Sequence, residues 1–184
     1  MRIRHADPGR DAAACAAIYA PSVTDGVASL EEIAPDAEEM RGRLAAVSDG
    51  WPWLVAELED TVVGYAYGSG HHQRAAYRWS ADVTVYIAPG HQRRGIGRAL
   101  YGALFGLLEA QGYYELCAGI TLPNAGSVGL HESLGFRRVG VYRDIGFKFG
   151  RWWDVGWWQK TLREHVAGVA PAEIGPPARL PDAG

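Results

Sequence analysis

Cysteine is almost missing from this chain: Cys15 and Cys117 are the two in 184 residues. That excludes a disulfide framework of the kind that staples small secreted domains. One lies in a helical pattern and the other in a strand pattern, so buried free thiols in a reducing compartment are expected rather than a bridge. A strong positive charge is also lacking. The formal net charge of −3 gives no global field for nucleic acid or an anionic membrane, and neither partner is expected. No apolar run approaches the ~20 residues needed to span a bilayer, and no basic–apolar leader opens the sequence. A soluble cytoplasmic protein is the expectation.

What is present centres on Ala88-Pro89-Gly90-His91-Gln92-Arg93-Arg94-Gly95-Ile96-Gly97-Arg98. An apolar run ends at Ile87 and a helical pattern continues from here to about Gln111. A strand that turns through glycines into a helix leaves backbone N–H groups without partners, and the helix dipole adds to their pull on an anion. Glycine lets phosphate oxygens come close where a Cβ would block them. The dinucleotide fingerprint is incomplete, because its third glycine falls on Leu100, and the Gly-Lys-Ser/Thr ending of a P-loop is absent. The residues alone leave two readings, a phosphate-bearing ligand site or a basic turn beside an ordinary helix.

Read in order, a short edge strand at 2–4 precedes a helix capped by Asp7 or Asp11 and closed at Pro21. Residues 20–34 lack a period, and a second helix runs from Pro35 to about 47 with acidic residues in its first turn. Strands are expected at 53–58 and 61–68, with a turn at Glu59-Asp60. A polar loop follows at 70–74, then a long strand at 77–87 with Val83, Val85 and Ile87 on one face. The post-glycine helix presents Ile96, Leu100 and Leu104 to a core. A strand at 115–121, a helix at 125–134 and two strands at 136–146 and 152–161 complete the domain, set at 1–166. Residues 167–184, rich in Pro, Gly and Ala, read as a poorly packed C-terminal extension. This order does not alternate as a doubly wound fold does. It predicts an α/β (α+β) domain: one mixed, mostly antiparallel sheet of about seven strands with about four helices. Seven tryptophans and nine tyrosines exceed an average content, and serve either the core or pockets and interfaces.

Two features carry candidate chemistry. Asn124, Ser127 and His131 recur at spacings of three and four, so they share one helix face, as a solvated stripe or as a site. Asn124 also suits a plain N-cap. Asp82 is a carboxylate in a strand of apolar and β-branched residues, where it must be solvated, paired or at a cleft.

Together these blocks resemble the GCN5-related N-acetyltransferase (GNAT) superfamily, and within it the phosphinothricin and methionine sulfone/sulfoximine N-acetyltransferases. The superfamily signature Gln/Arg-x-x-Gly-x-Gly/Ala is met by Gln92-Arg93-Arg94-Gly95-Ile96-Gly97. The narrower family matches in the blocks 52–57, 84–97, 108–112, 122–136 and 146–159, so the likeness spans about residues 2–162. It implies acetyl-CoA as co-substrate, bound between two splayed strands, with no metal and no covalent enzyme intermediate. Backbone groups of Val85, Tyr86 and Ile87 would pair with the pantetheine arm. The turn from Gln92, Arg93, Arg94, Gly95, Ile96 and Gly97 to Arg98 would hold the pyrophosphate, with Asn124 and Ser127 also at the cofactor.

The resemblance further implies proton transfer by Asp82, where the family has glutamate, and by His131, where many superfamily members have tyrosine. Substrate contacts would come from Arg74, Tyr77, Phe147, Phe149 and Trp153, the last three near a turn that also holds Lys148 and Arg151. The chain departs from the family at Ala20-Pro21-Ser22-Val23, at Leu30, and at Phe149 and Trp153. The implied reaction acetylates the primary amine of a small amino-acid-like substrate. Alternatives are a peptide, protein or other small-amine acetyltransferase, and a non-catalytic acyl-CoA-binding regulatory domain. A homodimer is the implied assembly.

Overall fold

In the computed structural model, which describes residues 1–180, seven strands form one sheet in the order β1-β2-β3-β4-β5-β7-β6. The strands are β1 (Arg2–His5), β2 (Trp53–Leu58), β3 (Thr61–Gly70), β4 (Ser80–Ile87), β5 (Glu115–Leu122), β6 (Arg137–Lys148) and β7 (Arg151–Thr161). The helices are α1 (Pro8–Thr24), α2 (Ala37–Ser48), α3 (Ile96–Gln111) and α4 (Ala125–Ser133). The expected mixed α/β sheet is therefore the fold found. Every pairing is antiparallel except β4 with β5. No described helix is long and apolar enough to cross a membrane.

Alternation along the central strands feeds two cores. Leu54, Ala56, Ala66, Ala81 and Val83 meet the apolar stripe of α3, where Leu100, Leu104 and Leu108 are wholly buried. The opposite face carries Val55, Tyr65 and Tyr86 against α1 and α2, through Cys15, Tyr19, Met40 and Leu44. Neighbouring side chains of a strand point to opposite faces, which is why Val83 and Tyr86 part company.

Several local expectations need correction. Pro21 does not close α1, which runs on to Thr24, because the first three turns are already committed and the chain tolerates a proline inside. The N-cap is Asp7, whose carboxylate accepts from the Arg10 N–H at 2.9 Å; Asp11 is buried in an ion pair with Arg4 instead. Residues 75–77 form a turn of 3-10 helix, so Tyr77 lies outside the strand and β4 starts at Ser80. The final hairpin is tighter than expected: β6 reaches Lys148, and Phe149 and Gly150 alone make the turn, both at positive φ.

The extension is exposed over 167–170, as expected of a poorly packed segment, but part of it docks between residues 172 and 180. Ile174, Ala178 and Leu180 rest on the main core, the Trp79 indole N–H donates to the Ala172 carbonyl, and Arg78 pairs with Glu173. Apolar side chains spaced along an irregular segment carry no period, so composition hid this docking. Positions 181–184 of the extension lie outside the described residues.

Candidate active site

The parallel pairing of β4 with β5 is short. Ser80 pairs with Glu115, Ala81 with Leu116 and Asp82 with Cys117, and there it ends. Beyond Asp82 the strands diverge, and Val83 to Ile87 on one side and Ala118 to Thr121 on the other become the walls of a cleft of about 580 Å³. A splayed pair leaves backbone donors and acceptors on both inner edges without ladder partners, and such groups require others.

The cleft runs onto the glycine turn. Gly90, Arg93 and Gly95 all have positive φ (80°, 60° and 80°). Glycine takes that conformation freely, whereas Arg93 holds it at a cost of ~1–2 kcal/mol. Gly95 then stands at the N-cap of α3, where it supplies no side chain to bond the first-turn N–H groups. A Cβ at Gly97 would come within 3.1 Å of Leu130, so glycine there lets α4 approach α3 closely. The buried His91 Nδ1, in the same cleft wall, has no protein partner. Uncapped helix donors and an orphaned polar atom suit an anionic, hydrogen-bonding ligand.

Of the residues expected at the cofactor, Val85, Tyr86, Ile87, Gln92, Arg93, Gly95, Ile96, Gly97, Arg98, Asn124 and Ser127 line this cleft. Arg94 does not, and is exposed. Asn124 is also the cap of α4, its side chain accepting from the Ser127 N–H at 3.0 Å. Arg98 reaches away to the Ser133 hydroxyl at 2.8 Å.

His131 is 3% exposed and lines the cleft. Its Nδ1 lies 2.8 Å from the Ser127 carbonyl oxygen, which can only accept, so Nδ1 carries the proton. In the neutral ring Nε2 then accepts from the Tyr101 hydroxyl, 3.1 Å away. Burial pushes the His131 pKa down, and the bond to Ser127 works against that. Tyr101, also in the cleft wall, is fully buried, which drives its phenol far above the ordinary range. Tyr101 falls beside the apolar stripe of α3 and reads as core there; no sequence signal marked its hydroxyl.

Asp82 sits at the head of the cleft, one residue before its lining begins. Its Oδ1 is 2.7 Å from His71 Nδ1. Burial raises the Asp82 pKa, and the His71 bond and the charges of His71 and His72 oppose it. The Cys117 sulfur completes a cluster whose polar atoms lie within 4.8 Å of one another.

The residues expected at the substrate do not gather at one place. Arg74 and Tyr77 line a separate cavity of about 350 Å³ with His72 and Gln73. Phe147 and Phe149 are exposed, by 53% and 60%, at the β6–β7 end, and Trp153 donates its indole N–H to the Lys148 carbonyl. Lys148 is not a free cation for an acidic substrate. Its ammonium is buried and donates to the carbonyls of Val23, Gly26 and Ser29, and Ser22 and Ala28 of that loop line the cleft.

A parallel pair that splays onto an uncapped helix start defines an acyltransferase-type cleft. The chain belongs to the GNAT acetyltransferase family, whose Acetyltransferase (GNAT) domain model matches residues 4–157. Within it, the chain is 44% identical over 154 residues to a phosphinothricin N-acetyltransferase of Alcaligenes faecalis, covering 83% of this chain and 78% of that protein. It is 36% identical over 171 residues to an L-methionine sulfoximine/L-methionine sulfone acetyltransferase of Salmonella typhimurium, covering 91% and 98%. A phosphinothricin acetyltransferase of Sinorhizobium meliloti, solved with AcCoA, superposes with a TM-score of 0.87 at 36% identity, over 94% of this chain and 93% of that one.

Proposed function

We propose that this protein transfers the acetyl group of acetyl-CoA to the primary amine of a small amino-acid-like acceptor of the phosphinothricin or methionine sulfoximine/sulfone kind. The observation that carries the reading is the cleft between β4 and β5, open from Asp82 onward and ending on the glycine turn. Acetyl-CoA supplies an activated thioester carbonyl. Backbone N–H groups of the turn from Arg93 to Arg98 hold the pyrophosphate, and the free inner edge of Val85 to Ile87 holds the amide-bearing arm.

Asp82 supplies negative charge at the head of the cleft, where the arriving ammonium must lose a proton before it can attack. His131 and Tyr101 act on the departing sulfur. With Nδ1–H committed to Ser127 and Nε2 accepting the one Tyr101 O–H, the neutral pair has no donor to spare; a proton taken up at Nε2 turns the ring into a donor to the Tyr101 oxygen and frees the phenol O–H to face the sulfur. Arg74 offers a fork for a carboxylate or phosphinate, with Tyr77 beside it in the same cavity. The two cysteines are free thiols, suited to a reducing cytoplasm.

A second copy of the chain is the proposed partner. Val139, Tyr142, Ile145, Phe147 and Trp152 are each more than half exposed along β6 and β7, an apolar edge that a homodimer would cover. Light scattering after gel filtration distinguishes dimer from monomer.

The test of function is thiol release from acetyl-CoA across phosphinothricin, methionine sulfoximine, methionine sulfone, methionine, polyamines and a short peptide. Saturable turnover with the first three supports the reading. Turnover confined to the peptide replaces the acceptor class, and binding of acetyl-CoA without turnover removes catalysis.

A further inference from the structure

We propose that the imidazole of His71, oriented by Asp82, is the proton acceptor for the incoming amine. This rests on the acetyl-transfer reading above and assigns its base. An ionised carboxylate holds no proton, so the 2.7 Å contact requires His71 Nδ1 to donate. That leaves Nε2 with its lone pair as the basic atom, the arrangement in which a carboxylate fixes the tautomer of a working histidine. Asp82 spends Oδ1 on this bond, so its share in the reaction passes through the ring.

His71 stands where the chemistry needs it. It follows Gly70, the end of β3, which pairs with Ala81; Asp82 is the last residue to pair with β5 before the cleft opens. The ring meets Trp157 edge-on at 5.7 Å. That indole lies over Gly119, a residue of the cleft wall, so closely that a Cβ there would sit 3.3 Å from it. On its other sides the ring meets His72 at 4.6 Å and Tyr77 at 6.3 Å, and those two line the cavity that also holds Arg74. His71 thus joins the acetyl-donor cleft to the cavity proposed for the acceptor's acidic end.

The groups facing His71 are Asp82 from β4, Cys117 from β5, His72 from its own loop and Tyr77 from the short turn; Trp157 of β7 brings no charge. Burial, then the Asp82 and Glu115 charges, push the Cys117 thiol up to about 12, so it stays neutral and does not compete as a base. The one anion in contact is Asp82.

Atoms and charge balance through the step. The ammonium gives one proton to Nε2, and the imidazolium later returns it to water. The neutral nitrogen bonds to the thioester carbonyl carbon as the carbon–sulfur bond breaks. A second proton leaves that nitrogen, and the thiolate takes up a proton, leaving amide and thiol.

The experiment measures thiol release by His71→Ala, His71→Gln and Asp82→Asn proteins with phosphinothricin and methionine sulfoximine, alongside acetyl-CoA affinity. Glutamine keeps a donor for Asp82 but has no basic nitrogen, so it decides the matter even where alanine weakens the fold. Both His71 variants should lose about 10²–10⁴-fold in kcat, the usual contribution of a positioned acid or base, with acetyl-CoA affinity unchanged. Added imidazole should restore part of the His71→Ala rate, and adding Asp82→Asn to His71→Ala should cost little more. Full activity in His71→Gln, or no response of His71→Ala to imidazole, overturns the assignment. No thiol release by the unmodified protein removes acetyl transfer itself, and this role with it; an active parent with an unimpaired His71→Gln removes the His71 role alone.

Discussion

Replacing Lys148 with methionine tests how the β6–β7 hairpin supports the cleft from a distance. The ammonium is 5% exposed and donates to the carbonyls of Val23 at 2.6 Å, Ser29 at 2.8 Å and Gly26 at 3.1 Å. Methionine keeps much of the stem's volume and removes all three bonds. A hydrogen bond from a charged donor contributes ~1.5–3 kcal/mol, and each carbonyl left buried without a partner costs ~1–3 kcal/mol. These do not simply add. Burial pushes the Lys148 pKa down against the pull of Glu31 and Glu32, so desolvation of the ammonium already offsets part of the gain. The expected net loss is about 3 kcal/mol, the upper value for a single charged hydrogen bond, since the carbonyls left behind are neutral. At ~2–4 °C per kcal/mol for a domain of this size, Tm falls by roughly 6–12 °C in a circular-dichroism melt. Because Ser22 and Ala28 lie in the same loop and line the cleft, acetyl-CoA affinity measured by calorimetry should fall several-fold as well. A Tm within about 2 °C of the parent, with unchanged affinity, would refute the claim that Lys148 holds this loop.

Acid should destabilise the fold through the Arg4 cluster. Arg4 lies 2.6 Å from both Asp11 and Glu57, which are nearly fully buried. Burial would raise Asp11, but the Arg4 bond, the Asp7 N–H and nearby arginine charge hold it below its ordinary value; for Glu57 the Arg4 bond outweighs burial outright. Both folded pKa values are depressed, so the unfolded chain binds more protons once the pH drops below about 4.5, and stability falls from there downward. Urea titrations between pH 7 and 3 should show that slope, and Arg4→Met, which leaves Glu57 with Arg10 alone and Asp11 with the Asp7 N–H, should flatten it. Tyr101→Phe should cost about 1–2 kcal/mol of stability, because His131 Nε2 loses its partner, and lower kcat about tenfold with little change in acetyl-CoA affinity. A loss confined to that affinity would make the Tyr101–His131 pair a wall of the cleft and nothing more.

The strongest local signals are those whose physics is contiguous in the chain. The apolar stripe of α3, the alternation of β4 and the Asn124 cap each depend on residues within a few positions of one another, and each is where periodicity put it. Pro21 misleads because a proline ends a helix only where neighbouring packing lets it, and α1 is held on both sides of it by Ile18, Tyr19 and Val23. The tail misleads in the other direction, since its contacts come from scattered apolar residues finding a groove already built by α3 and β1.

By itself, then, the sequence determined the glycine turn, the helix it opens and the strands around it, because backbone donors and hydrophobic period are properties of consecutive residues. Tertiary structure alone decided which polar groups became partners. His71 meets Asp82 across 11 positions, Tyr101 meets His131 across 30, and Lys148 reaches Val23 across 125. A buried histidine, phenol or ammonium must find some partner, but which one depends on where separate elements cross. That crossing is set by the packing of the two cores and the splay of β4 from β5, which no local pattern encodes.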